Sequence, residues 1–549
     1  MSNTQIPARD QIAHEYTWNA ESVFASPQAW QAEWNSIASD LPNLKKFQGH
    51  LADGASMLAD ALDAIDQIVR RIGKVYVYAS MSHAADTQNQ AASKMNSEAQ
   101  GLFGQVSGAV SFLDPELIAI GEAKLRQWLK AEPRLAHIGH YIDNLFRKQA
   151  HVRSGEVEEL LGMLSDPFSG ISTAEGALTN ADFKFAPAID SAGKELPVTQ
   201  SSVYDIMHQP DRAARRSARE NYRDSYLAHK NTVAANLSTS IKQNVFMMRA
   251  RQQPSTLEAT LFNTNIPVEV FHNLINTFRK NLPTWQRYWR LRRKALGVDR
   301  LESYDLWAPL TTAKPKVPYP QAVEWICAGL EPMGQEYVDI LRRGCLQDRW
   351  IDLLPNQGKS AGAFSTGWPG THPFIMMSYA DDVFSLSTLA HELGHSMHSY
   401  YTWKNQPTLY FDYSTFVAEV ASNFHQAMVR DYLLKHNPDR DFQIALIEEA
   451  LGNFLRYFFI MPTLARFELE THQRVERGEG LTADSMIDLM ADLFSEGYGG
   501  EVHVDHDRVG MTWATFGHLY ADYYVFQYAT GISGAQALAK RVLSGEKGA

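Results

Sequence analysis

The chain has 549 residues, 45% of them hydrophobic and 21% charged, so it can bury one or more large cores. Its 51 Lys and Arg against 62 Asp and Glu give a net charge of −11, which disfavours nucleic acid and anionic lipid as partners. No basic segment followed by an apolar stretch opens the chain, and no run approaches the roughly 20 apolar residues of a membrane span. Because we expect Cys327 and Cys345 to be free thiols, we predict a cytoplasmic protein.

Apolar residues recur with helical spacing from Ser26-Pro27, a pair typical of a helix start, to about residue 180. The segments 183–187 and 196–199 flank Asp190-Ser191-Ala192-Gly193 and predict a β-hairpin. We therefore predict an N-terminal helical domain over residues 1–203, ending in this hairpin, and a second domain over residues 204–549. One N-terminal helix carries an apolar stripe of Leu58, Leu62, Ile65, Ile68, Ile72 and Val75.

Helical spacing resumes after the hairpin. Four prolines between Leu296 and Pro320 prevent a regular helix and predict a long connection. The apolar run 374–379 predicts a strand, which is either a buried core strand or a strand that pairs with the backbone of a bound peptide. The predicted fold class is mainly α, with one small β-sheet near residues 391–395.

His391-Glu392-Leu393-Gly394-His395 has the HExxH spacing. At about 100° and about 1.5 Å per residue, a helix places the two histidines on one face, one turn apart, so that they can share a metal ion. The surrounding apolar residues form a stripe on a different face. Glu392 projects between the two faces, which suits a general base that takes a proton from metal-activated water.

Two histidines leave a catalytic zinc site incomplete, because such sites normally use three protein ligands. Glu419 lies in a second predicted helix, and it would complete the set if that helix returned antiparallel to the first. We therefore predict one Zn²⁺ per chain, bound by His391, His395 and Glu419. We expect His398 to pack near the site without binding the ion. His503 and His506, which flank Asp505 without regular spacing, predict a solvated loop.

With these residues in place, the chain resembles the M3 metallopeptidases, specifically the oligoendopeptidase F branch. The resemblance spans most of the chain and is carried by residues 16–19, by 355–359 leading to 362–365, by the extended zinc motif 388–399 and by 524–531. It implies an elongated, clam-like, multi-helix zincin with a deep substrate channel. Such a channel would admit short peptides and exclude folded proteins.

In that family, a histidine and tyrosines near the C-terminus stabilise the oxyanion of the tetrahedral intermediate. The resemblance implies His518, Tyr520, Tyr523 and Tyr524 as candidates for these catalytic roles. Phe526 stands where relatives often carry a tyrosine, so no hydroxyl role transfers to it. A glycine-rich turn, residues 497–500, precedes this region and would provide the mobility that a closing loop needs.

These observations together predict a zinc-dependent endopeptidase that hydrolyses internal bonds of short oligopeptides, with Glu392 as general base and residues 204–549 as its catalytic domain. Two alternatives stay open. A peptidyl dipeptidase would release dipeptides from a free C-terminus and would need a cationic group to capture the carboxylate. A non-catalytic zinc scaffold would only bind peptides, although the intact Glu392 disfavours it.

Overall fold

A computed structural model of the chain describes residues 6–200, 202–311, 313–360 and 362–549. Helices dominate, which confirms the predicted class, and the strands are only two or three residues long. Within the described residues, no helix combines the length and hydropathy that crossing a membrane requires. The helices, in chain order, are α1 (Pro27–Asp40), α2 (Ala55–Ala85), α3 (Gln90–Val110), α4 (Leu113–Ile120), α5 (Glu122–Ala131), α6 (Gly139–Lys148), α7 (Gly155–Met163), α8 (Ser165–Ala177), α9 (Ser202–Met207), α10 (Arg212–Ala228), α11 (Lys230–Ala250), α12 (Thr256–Asn263), α13 (Val268–Lys280), α14 (Leu282–Leu296), α15 (Tyr319–Gly329), α16 (Gln335–Leu346), α17 (Val383–Asn405), α18 (Thr415–His436), α19 (Arg440–Leu455), α20 (Met461–Glu476), α21 (Ala483–Tyr498), α22 (His506–Gly510) and α23 (Phe526–Leu543).

The strands form three small sheets. In chain order they are β1 (Ala188–Ile189), β2 (Glu195–Leu196), β3 (Leu301–Glu302), β4 (Ile351–Asp352), β5 (Phe364–Thr366), β6 (Phe374–Met376) and β7 (Val502–His503). β1 and β2 pair antiparallel around the predicted turn, which confirms the hairpin. β3 pairs parallel with β7, and the third sheet has the order β4-β6-β5.

The chain divides into two compact units, each built from separate segments. The first comprises residues 1–150, 316–436 and 535–549, and the second comprises 151–315 and 437–534. The chain passes from the second unit to the first between Pro315 and Lys316, inside the predicted proline-rich connection. The predicted boundary at residue 203 falls inside the second unit and stays a prediction of the sequence.

The N-terminal helices of the first unit pack around α2. Its predicted apolar stripe is confirmed, because all six side chains are buried or half-buried in one core that also contains Trp30 of α1. The predicted helix start is also confirmed: Pro27 is the first residue of α1, and the Ser26 hydroxyl accepts a hydrogen bond from the Ala29 N–H at 3.2 Å. Helical periodicity alone therefore located this core.

The β4-β6-β5 sheet precedes α17, the helix with the HExxH residues. β6 is the central strand: Ile375 pairs with Ile351 of β4 on one side and with Ser365 of β5 on the other. Its three side chains are fully buried. The core-strand prediction for residues 374–379 is thus confirmed, and pairing of this strand with a peptide is wrong because both its edges are occupied. β5 is one of the two outer strands of this sheet.

A buried ion pair fixes the loop that joins β4 to β5. Lys359 Nζ lies 2.7 Å from Asp352 Oδ1, and the two side chains are at most 3% exposed. Arg9 donates to the same carboxylate from the N-terminal segment. Removing Asp352 would leave the charge of Lys359 buried and uncompensated, so the pair holds Lys359 against β4. Lys359 ends the motif 355–359 that carried part of the family resemblance.

Gly73 of α2 lies in close contact with Trp368, and we expect a methyl group at this position to disrupt that contact. A Cβ at Gly73 would lie 1.9 Å from Trp368 Nε1, and that indole N–H donates to the Val69 carbonyl at 3.0 Å. Gly73→Ala should therefore lower the free energy of unfolding by about 1–3 kcal/mol. Calorimetry would detect this as a lower melting temperature.

Gly104 of α3 provides the matched control in the same unit. A Cβ there meets no atom within 4 Å, so Gly104→Ala should stabilise the helix by about 1 kcal/mol. If both variants melted above the wild type, the close packing of Trp368 on Gly73 would be wrong.

Candidate metal centre

The two helices that carry the predicted metal ligands make their closest approach at Gly394. A Cβ at Gly394 of α17 would lie 2.6 Å from the Ala421 carbonyl oxygen and 2.6 Å from the Ser422 Cα of α18. No side chain fits into that space. The glycine inside the HExxH motif therefore allows α18 to lie against α17, which brings Glu419 beside the two histidines.

The three predicted ligands converge in the first unit. His391 Nε2 lies 3.5 Å from Glu419 Oε2, and His395 Nε2 lies 4.0 Å from the same oxygen. One ligand atom from each residue fits within 4.8 Å of the others. In the part of the chain that the structure describes, this is the one group of His, Cys, Asp or Glu with that spacing.

Neighbouring polar groups orient two of the three side chains. Gln426 Oε1 lies 3.2 Å from His391 Nδ1, and its Nε2 donates to the Ser387 hydroxyl at 2.8 Å. With the amide oxygen directed at Nδ1–H, His391 keeps the lone pair of Nε2 available for a metal. The Ser422 hydroxyl donates to Glu419 Oε2 at 2.9 Å, so the carboxylate is also fixed.

The protonation states suit a metal site. Burial, and then the charge of His391, lower the pKa of His395 to about 3, so the ring stays neutral and can donate its lone pair. Glu392 is 6% exposed. Burial raises its pKa to about 7, against the opposing effects of His391 and of a hydrogen bond from the Ser365 N–H. Two imidazoles and one carboxylate match the donor set of catalytic zinc and leave a position open.

Three further histidines have different neighbours. The His398 ring stacks on Tyr413 with centroids 3.8 Å apart. His425 Nε2 lies 2.5 Å from the Tyr337 hydroxyl. His503, which was predicted to lie in a solvated loop, is instead in β7 and pairs through Nδ1 with Glu302 Oε2 at 2.9 Å. None of the three belongs to the convergent group.

The predicted oxyanion residues belong to the second unit and differ among themselves. Tyr523 is fully buried, and its hydroxyl lies 3.0 Å from Thr256 Oγ1. Its N–H donates to Glu468 Oε1 at 2.6 Å, and its φ of 47° is in the left-handed region. Tyr523 thus stabilises the interior of this unit. The Tyr520 hydroxyl is buried with no hydrogen-bond partner among the described residues.

His518 and Tyr524 are part of an aromatic cluster with Tyr528 and Tyr457. The His518 ring is exposed and stacks on Tyr524, with centroids 5.8 Å apart. The Tyr528 hydroxyl donates to the Tyr524 hydroxyl at 3.2 Å, and Tyr528 stacks on Tyr457 at 5.1 Å. The predicted glycine-rich turn lies upstream, where Gly499 ends α21 in the left-handed conformation.

Comparison with known proteins identifies the family. The model of peptidase family M3 matches residues 206–548, and an oligopeptidase F model matches residues 116–185. The chain belongs to peptidase family M3. Oligopeptidase PepF of Bacillus subtilis is 37% identical to this M3 peptidase over 98% of the present chain and 80% of its own length. The resemblance stated from the motifs is therefore confirmed.

Solved structures agree with this assignment. The crystal structure of a protein from Chlamydophila abortus superposes on this M3 peptidase with a TM-score of 0.87 at 29% sequence identity. The superposition covers 99% of the present chain and 91% of the Chlamydophila abortus chain. The crystal structure of oligoendopeptidase-F from Enterococcus faecium superposes with a TM-score of 0.72 at 30% identity, covering 95% and 89%. The mainly helical fold is therefore shared along nearly the whole chain.

The contact between Gln426 and His391 predicts how tightly the metal is held. Gln426→Leu keeps much of the side-chain volume but removes the hydrogen bond that orients the ring. We expect the zinc dissociation constant to rise about 10–100-fold, measured by competition with a chromophoric chelator.

His398→Phe is the matched control, because it preserves the stacking on Tyr413 and removes an imidazole from the same helix. This variant should bind zinc with an affinity within about twofold of the wild type, since His398 is outside the donor group. If His398→Phe bound zinc more weakly than Gln426→Leu, the roles assigned to Gln426 and His398 would be wrong.

Proposed function

We propose that this M3 peptidase is a zinc-dependent endopeptidase that hydrolyses internal peptide bonds of short oligopeptides. The observation that carries the proposal is the convergence of His391, His395 and Glu419 within 4.8 Å, beside the buried carboxyl group of Glu392. The names of the similar proteins, oligopeptidase PepF and oligoendopeptidase-F, support short peptides as substrates. One zinc ion per chain would match the three donors.

The protein side chains divide the chemistry between them. His391, His395 and Glu419 would hold the zinc, which would supply a Lewis acid that polarises the scissile carbonyl and makes water more acidic. Glu392 takes a proton from the attacking water on a carboxylate oxygen and returns it to the nitrogen of the leaving amine. A pKa of about 7 is suited to both transfers near neutral pH. The Ser365 N–H keeps that carboxyl in place.

The oxyanion donors in this proposal are His518 and Tyr524, with Tyr520 as a third candidate. An N–H or O–H directed at the carbonyl oxygen stabilises the negative charge that develops there. The exposed ring of His518 and the half-buried ring of Tyr524 support these roles. We leave Tyr523 out because its hydroxyl is enclosed beside Thr256.

We also propose that the protein acts in the cytoplasm. Cys327 and Cys345 are both buried and free, as the sequence predicts. Burial raises the pKa of the Cys327 thiol to about 11, so this group is unreactive at neutral pH. Free thiols without a disulfide framework are typical of proteins from a reducing compartment.

A quenched fluorescent oligopeptide tests the activity directly. The zinc-loaded enzyme should hydrolyse it, a chelator should abolish hydrolysis, and added zinc should restore it. Mass spectrometry of the products should locate cleavage at an internal bond, and a peptide with an amidated C-terminus should still be cut. Release of dipeptides only from peptides with a free carboxylate would instead indicate a peptidyl dipeptidase.

Glu392→Gln tests the general base. The amide cannot accept the proton, so kcat should fall about 10²–10⁴-fold, whereas zinc content and peptide affinity should stay near those of the wild type. Steady-state kinetics, metal analysis and fluorescence anisotropy with a labelled peptide measure these three quantities. Glu419→Gln is the contrasting variant, since it should lose zinc as well as activity. Unchanged turnover in Glu392→Gln would refute the assignment.

A further inference from the structure

Arg456 occupies an unusual position in the second unit. Residues Arg456–Ile460 form a π-helical turn between α19 and α20, so that residues 440–476 make one continuous helix with a local bulge. Bulges of this kind are rare and frequently mark functional positions, because the extra residue redirects the side chains beside it. Arg456, the first residue of the bulge, points its side chain to solvent.

The Arg456 guanidinium has no carboxylate partner within the described residues, since no oxygen of an Asp or Glu side chain lies within 4.0 Å of it. Two other arginines on the same continuous helix are paired, Arg466 with Glu496 at 2.6 Å and Arg474 with Glu470 at 2.9 Å. Arg440, at the start of the helix, has no ion pair among the described residues either. Arg456 differs from Arg440 in lying at the bulge, where no carboxylate of the described residues neutralises its charge.

An aromatic ring lies beside this cation. Arg456 Cζ lies 5.9 Å from the centre of the Tyr204 ring, a distance at which the ring attracts the cation. Partial desolvation, and then the positive charge of Arg456, lower the pKa of His518. Tyr457, the next residue, stacks on Tyr528 of the same cluster with an interplanar angle of 4°.

This arrangement suits recognition of a carboxylate on a peptide. A guanidinium offers a planar fork of N–H donors that matches the two oxygens of a carboxylate, and the bonds are charge-assisted. Rings beside the fork contact the apolar part of the same residue with little loss of side-chain entropy. A phosphate would fit the fork as well, but peptides are the substrates in the proposed function.

We propose that Arg456 binds a carboxylate of the peptide substrate, carried either by its C-terminus or by an acidic side chain, and so sets a preference for acidic peptides. This inference rests on the proposed endopeptidase function and adds a specificity-determining residue to it. Arg456 takes no part in proton transfer. Its effect is on peptide binding, and therefore on KM.

Kinetics on a matched peptide set test the inference. The set contains one parent peptide with an acidic residue, its Asp→Asn counterpart, its Asp→Lys counterpart, and C-terminally amidated forms of each. Arg456→Ala should lower kcat/KM for the carboxylate-bearing peptide roughly tenfold through KM, and should change the corresponding amide by less than about twofold. If the effect of Arg456→Ala disappears with the Asn-containing peptide, Arg456 binds the acidic side chain. If the effect disappears with the amidated peptide, Arg456 binds the C-terminal carboxylate.

Three further variants separate recognition from a structural role. Arg456→Lys should retain part of the preference, because it keeps the charge and loses the fork. Arg456→Glu should reverse it, so that the Lys-containing peptide becomes the better substrate. Arg287→Ala is the control: Arg287 is an exposed arginine of α14 in the same unit without an ion pair among the described residues, and its removal should leave all peptides unchanged.

If Arg456→Ala lowered kcat/KM equally for every peptide, the residue would support the fold. If the variant lowered kcat/KM for no peptide, the side chain would only be solvated. Either result would overturn the inference. Equilibrium binding of labelled peptides in the Glu392→Gln background repeats the comparison without turnover. Arg456→Ala should there raise the Kd of the acidic peptide alone, again by roughly tenfold. If the wild type hydrolysed no peptide, the proposed function would fail, while this binding comparison would still decide the role of Arg456.

Discussion

The metal centre depends on how closely two helices approach at one glycine. Because a Cβ at Gly394 would overlap the backbone of α18 at Ala421 and Ser422, the crossing distance is set by the absence of a side chain. This spacing allows Glu419 Oε2 to come within 3.5–4.0 Å of both histidine Nε2 atoms. If the helices moved apart, the carboxylate would leave the imidazoles, and two histidines alone would make a weak site.

Around that crossing, His391 and Glu392 are each held by a group from a different element. Gln426 of α18 orients His391 of α17, and Ser387 of α17 orients Gln426 in turn. On the other side, the outer strand β5 approaches α17: the Ser365 N–H bonds Glu392, and the Ser365 hydroxyl lies 2.8 Å from the Ser396 hydroxyl. Fixed donors of this kind reduce the reorganisation that metal binding and proton transfer require.

Local spacing was enough to predict the parts of the site that lie on single helices. The HExxH spacing gives the shared face of His391 and His395, and the apolar stripes gave the helices. Ser422 and Gln426 were missed, although they follow Glu419 by three and seven residues and therefore share its helical face. The close approach at Gly394 and the interleaving of the two units arise from contacts between distant segments. The burial of Tyr523 could not be predicted, because residues 517–525 lack a regular period that separates buried from exposed tyrosines.

The division of the chain into two units separates metal binding from the proposed contributions to peptide binding. Every proposed metal ligand, the groups that orient them and Glu392 belong to the first unit, whereas the proposed oxyanion donors and Arg456 belong to the second. Metal affinity should therefore respond to substitutions in the first unit alone. The roles proposed for His518, Tyr524 and Arg456 assign part of the peptide affinity and turnover to side chains of the second unit. A variant in the second unit that lowers turnover at full zinc occupancy thus has a cause other than a damaged metal centre, and the zinc content of the purified protein distinguishes the two cases.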